Sequence, residues 1–217
     1  MMTMRYRTFI AATILGLSAI SAEARPVSYE GGWTFIEETD RQMSALWVHY
    51  TVNPKLSVGW RSEWDRQDDF VLHAPQATYL VKRWFGEDYQ ANIYAFGGAG
   101  VLSGVDDNQT ETEGAGFVGI LADWETRRLF TSYRARLLEA DSVDSGFMQA
   151  ARVGFAPYEG DTGDLHTWLM VEVDHRPDND DKIGVTPLVR FFKGAALFEA
   201  GWSVTDNEPL INFTYRF

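Results

Sequence analysis

Arginines and carboxylates recur at every second position along several stretches of this chain, sharing a side with small or hydroxylated residues. The set comprises Arg61, Glu63, Arg134, Arg136, Arg152, Glu172, Arg190 and Glu199, with Asp123, Asp174 and Arg216 at matching positions. Two chemistries suit such a set. Paired with one another, guanidinium and carboxylate groups cancel and lock together the elements that carry them. Left wet and partly unpaired, they form a charged constriction of the kind that selects ions.

A second group of carboxylates lies between these stretches, among them Glu37, Glu38, Asp40, Asp65, Asp68 and Asp69. Asp106-Asp107-Asn108 and the run Asp178, Asn179, Asp180, Asp181 are the densest clusters. Oxygen-rich clusters suit a loosely held Ca or Mg ion. The competing reading is a solvated, like-charged surface. Beyond such an ion, no cofactor is expected.

The four histidines, His49, His73, His166 and His175, show no metal-ligand spacing, and with no cysteine in the chain a transition-metal site would have to be assembled across strands. Asp174-His175, with Ser103, Ser142 and Ser145 available in predicted loops, leaves a lipid or peptide hydrolase as an alternative. Neighbours in a strand point to opposite faces, so Asp174 and His175 cooperate only where the strand has ended. A formal net charge of −12 argues against nucleic acid as a partner.

The elements that must position these residues have a period of two. In Leu56 to Trp64, the residues Leu56, Val58, Trp60 and Trp64 share one face, and Ser57, Gly59, Arg61 and Glu63 share the other. The same division recurs around Leu129–Leu137, Thr167–Asp174 and Phe198–Val204. Helical periodicity is nearly absent, and turn-forming clusters interrupt the pattern at short intervals. The expectation is an all-β fold of about twelve antiparallel strands, ten being acceptable.

Met1 to Arg7 is short and basic, Phe9 to Ile20 is almost wholly apolar, and Ser21-Ala22-Glu23-Ala24 offers a small-residue cut. That pattern predicts a cleaved signal peptide over residues 1–24 and a single β domain over 25–217. Alternation alone fits a soluble exported sandwich, in which the tryptophans would stack on carbohydrate. Several further features favour a transmembrane β-barrel. Trp64, Trp124 and Trp202 fall near predicted strand ends, where interface girdles sit, and the connections alternate between short turns and longer acidic loops.

The chain closes on Ile211-Asn212-Phe213-Thr214-Tyr215-Arg216-Phe217. Phe213, Tyr215 and Phe217 resemble the C-terminal strand signal of Gram-negative outer-membrane barrels. The resemblance implies an outer-membrane location after export, contact with lipid and lipopolysaccharide, and recognition by the barrel-assembly machinery. Gly31-Gly32-Trp33-Thr34, His49 to Arg61 and Lys82-Arg83-Trp84 are similar to uncharacterised proteobacterial envelope proteins, a likeness that supplies no reaction. Two functions follow as expectations: a small passive channel, or a structural and surface-interaction barrel with a charged lumen.

Overall fold

The computed structural model describes residues 26–105, 112–141, 146–161, 163–178 and 182–217. The proposed signal segment, Asp106, Asp107, Asp180, Asp181, Ser142 and Ser145 lie outside them.

Twelve strands run in chain order: β1 Trp33–Thr39, β2 Met43–Asn53, β3 Leu56–Asp65, β4 Phe70–Phe85, β5 Tyr89–Gly104 and β6 Thr112–Thr126. They continue as β7 Leu129–Ala140, β8 Met148–Phe155, β9 His166–His175, β10 Ile183–Lys193, β11 Ala196–Trp202 and β12 Pro209–Arg216. Each pairs antiparallel with its sequence neighbours, and β1 pairs with β12, so the sheet is a closed barrel. Closure leaves no strand edge unpaired. The carbohydrate-binding sandwich is thereby overturned, because a sandwich needs two separate sheets.

The start of β1 and the end of β12 lie at one end, called here the terminal end. Trp33 N–H donates to the Phe217 carbonyl at 2.9 Å, and Phe217 N–H returns a bond at 3.0 Å. Most connections there are short. In the tight turn at residues 194–195, Gly194 takes a φ of 62°, which a two-residue hairpin needs and a side chain would resist. The segment 156–165 between β8 and β9 is the exception. Connections at the opposite, loop end are longer, as with residues 176–182 and 203–208. Pro187 is accommodated in β10 because that strand pairs with β11 only from Leu188 onward.

Alternation fixes which side chains face in. Val58, Trp60, Val118, Ile120, Leu169, Val171 and Val173 are exposed on the outside, with their strand neighbours buried or half-buried. Trp64 and Trp202 stand on this surface at the loop end, and Trp33, Tyr215 and Phe217 at the terminal end. No described helix is long and apolar enough to cross a membrane.

The expectation of an interior made of charges and glycines needs correction. Phe70, Leu72, Leu102, Phe117 and Leu138 form an apolar cluster inside the β4–β7 wall, and Phe130, Trp168, Met170, Leu188 and Leu210 form another. These side chains fill part of the lumen and border the charges, the Arg190 guanidinium lying 4.6 Å from the centre of the Phe130 ring and that of Arg136 5.9 Å from the centre of the Phe117 ring.

Candidate functional site in the barrel lumen

Four layers stack along the lumen from the loop end to the terminal end. The first is a latch of ion pairs beneath the loops. Asp40 and Arg41 belong to the short β1–β2 connection, which folds over the mouth. Arg41 donates through Nε to Asp174 Oδ2 at 3.0 Å and through Nη1 to Asp206 Oδ2 at 2.7 Å. Arg176 donates through Nη2 to Asp40 Oδ2 at 2.9 Å and lies 3.7 Å from Asp65 Oδ2. The latch therefore joins β3, β9 and three connections.

Its electrostatics follow from these contacts. Burial alone would raise the Asp40 carboxyl, but Arg176 and the Met43 and Gln42 N–H donors outweigh it and hold the group below its ordinary value. Burial would likewise lower the Arg41 guanidinium, and Asp174 and Asp206 more than reverse that. Gly184 on β10 leaves the room required. A Cβ there would lie 2.2 Å from Asp174 Oδ1 and 2.5 Å from Arg41 Nε.

The second layer holds the paired charges of the barrel middle. Glu63, only 1% exposed, accepts from Arg61 Nε at 2.8 Å and from Arg136 Nη2 at 2.6 Å. Glu199 accepts from Arg152 Nη1 at 2.9 Å, Arg190 Nε at 2.6 Å and Asn212 Nδ2 at 2.6 Å, and Arg152 also bonds Glu172. Glu38 meets Arg134 Nη1 at 3.1 Å. Strands β1 and β7 stand opposite one another in the ring, so this last pair spans the lumen.

A cavity of about 130 Å³ remains between these ion pairs and the apolar clusters. Glu38, Arg134 and Arg152 line it on the charged side, and Ile36, Trp47 and Phe96 on the other. Such a space holds on the order of ten waters.

The third layer is uncharged across β1 to β4, with Arg216 of β12 opposite Thr34. Thr34, His49, Gly59 and Gln76 occupy one row across β1 to β4. Thr34 Oγ1, both His49 ring nitrogens, Gln76 Oε1 and the neighbouring Trp47 Nε1 are buried without a hydrogen-bond partner among the described residues. Each such atom costs about 1–3 kcal/mol relative to a hydrated state.

The fourth layer is the segment that precedes β1. Instead of leaving the barrel, Pro26 and Val27 turn into its terminal end. Val27, 1% exposed, packs with Leu80 and Tyr94, and Leu121 lies against them. Ser57 Oγ donates to the Pro26 carbonyl at 2.6 Å, and Ser28 N–H donates to Thr51 Oγ1 at 3.2 Å. Pro26 reaches far enough to line the central cavity.

All eight charged residues expected on the inner face point inward; the fold gathers seven of them into two groups, around Glu63 and around Glu199, while Arg134 pairs with Glu38. Asp123 also faces in, accepting from Asn92 Nδ2 at 2.6 Å. The outer acidic cluster needs correction. Glu38, Asp40 and Asp65 are not a solvated surface but are turned inside and ion-paired. Asp178 is exposed in the β9–β10 connection, and the described residues contain no carboxylate and histidine group arranged to hold a metal.

Arg41, Arg176, Asp206 and the Pro26–Ser28 segment are absent from the residues that sequence reasoning singled out. Parity from Thr34 and Ile36 would have identified Glu38 as inward. Arg41 and Arg176 lie in connections, where parity gives no guide. The Asp174 and His175 side chains diverge as strand geometry requires: Asp174 binds Arg41 inside the barrel, whereas His175 Nδ1 lies 3.0 Å from Gln149 Nε2 on the other face. Ser103 lies on β5 and pairs with Thr112 at 2.9 Å, so among the described residues Asp174, His175 and Ser103 do not assemble a hydrolase site.

Fold and lumen together define a closed twelve-stranded barrel with an ion-paired interior. No family model matches the chain, and no curated protein does. Among solved structures it is similar to a KdgM porin in complex with disordered oligogalacturonate, at 11% identity and a TM-score of 0.49 over 86% of this chain and 98% of that one. A second KdgM porin structure gives a TM-score of 0.47 at 11% identity, with coverage of 86% and 98%. Acinetobacter baumannii OccAB4 gives 0.40 at 10% identity, with coverage of 84% and 57%. The functional reading that follows rests on this chain's own surfaces.

Proposed function

We propose that the chain spans the outer membrane and acts as a narrow, normally closed channel for small solutes. The apolar outer wall is the first support. Exposed Val, Leu, Ile and Trp side chains around the whole ring would be an aggregation hazard in water and are at home in lipid. In this reading Trp64 and Trp202 mark one interface, and Trp124, Tyr215 and Phe217 the other. The terminal end faces the periplasm, after export and removal of residues 1–24. Lipid and lipopolysaccharide surround the barrel, and the closing strand is the feature that the assembly machinery recognises.

The observation that carries the channel reading is the Glu38–Arg134 pair beside a water-sized cavity. A barrel needed only for envelope structure would gain stability from apolar filling, since buried ion pairs are commonly weaker than the hydrophobic contacts that could replace them. Here a polar chamber is kept open, and tied across its width. Planar-bilayer recording tests this reading. The wild-type protein is expected to give rare, small steps, and Glu38→Gln larger or more frequent ones. Silence from both would favour a sealed structural barrel, the second reading, which the continuous lattice of ion pairs supports.

A further inference from the structure

The Pro26–Ser28 segment is held differently from everything around it. A strand is zipped to two neighbours along its length, whereas this segment is fixed by the Ser57 and Thr51 bonds and by two buried apolar side chains, Pro26 and Val27. It joins β1 through a turn in which Gly31 adopts a φ of 83° and Gly32 N–H donates to the Tyr29 carbonyl at 3.1 Å. Its anchors, Thr51 and Ser57, are the next inward-facing positions along β2 and β3 from His49 and Gly59. The segment therefore abuts the row in which Thr34, His49 and Gln76 have buried polar atoms without partners.

Those two facts bear on each other. Unpartnered polar atoms disfavour the packed arrangement, and water entering from the terminal end would satisfy them. Weak attachment makes such entry accessible by moving three residues rather than by unzipping the barrel. We propose that Pro26–Ser28 is a retractable plug, which seals the terminal end of the lumen when docked and admits water to the polar row and cavity when withdrawn. The inference rests on the channel reading for its purpose, but the motion itself can be measured whether or not the barrel conducts.

Since the chain contains no cysteine, Ser28→Cys combined with Thr51→Cys introduces the only two thiols and allows the segment to be tethered. The different gel mobility of unboiled and boiled samples verifies that the variant has folded. In planar bilayers, the oxidised protein is expected to open roughly tenfold less often than the reduced protein. Equal opening in the two states would overturn the proposal. In the wild-type protein, hydrogen exchange at the Ser28 amide is expected to run about a hundredfold faster than at Ile36 in β1. Exchange as slow as that of the strand would identify a fixed part of the core and overturn the plug even if no current flows. Fast exchange without current would retain the plug and remove only the channel reading.

Discussion

Glu38 and Arg134 meet at 3.1 Å although their strands face one another across the ring. The pair divides the lumen without help from any loop. Removing one partner should therefore affect passage more than a charge change on the wall. Arg134→Gln is expected to increase conductance several-fold over wild type. Bilayer recording of Arg134→Gln beside Arg61→Gln separates the two cases, and an equal response to both would show that the spanning pair is not the constriction.

Glu63 is enclosed by Arg61 and Arg136, and its charge is what permits the two guanidinium groups to lie close together. Glu63→Gln leaves both cations facing a neutral amide. A loss of about 3–5 kcal/mol is expected, as for other buried pairs deprived of one member. Urea unfolding in lipid vesicles measures it. A change below 1 kcal/mol would mean that water screens this site despite its burial.

Gly184 supports the latch through space alone. Gly184→Ala places a methyl group against Asp174 and Arg41, so it should weaken the Arg41 contacts and cost on the order of 1–3 kcal/mol, as overpacking does. Thermal unfolding in detergent micelles provides the readout. Arg41→Met in the Gly184→Ala background should then cost less than in the wild type, because the two changes act on one interaction.

Acid should loosen the latch through Asp40. Its carboxyl is depressed in the folded protein below the ordinary value of 3.8, so its contribution is fully present above that value. The contribution disappears as pH falls through the depressed range, when the carboxylate takes up a proton and releases Arg176. Hydrogen exchange of residues 40–42, after correction for intrinsic rates, should consequently show a loss of protection below the ordinary aspartate range. Asp40→Asn should remove the transition.

Period-two alternation made the strands legible, because Leu56, Val58 and Trp60 differ so sharply from Ser57, Gly59 and Arg61. The same rule identified the inward arginines. It could not settle β4, where Phe70, Leu72 and Ala74 alternate with Val71, His73 and Pro75, so that two largely apolar faces compete. Tertiary filling of the lumen decided the matter. Glu38 and Asp40 escaped because acidic residues near a strand end look alike whether they point to water or to an arginine far away in sequence. Arg134 is the partner that decides Glu38, and only the closed ring brings it near. The Pro26–Ser28 segment carries no periodic signal at all.

The Trp33–Phe217 bonds join β1 to β12, so the circle can be completed only after β12 has been synthesised. Pro26 and Val27 are tethered to that first strand and end up inside the circle. They must be in place, or able to slip in beneath it, when the seam closes. A shortened C-terminus would thus leave two raw sheet edges and, with them, an interior that has lost its boundary on both sides of the seam.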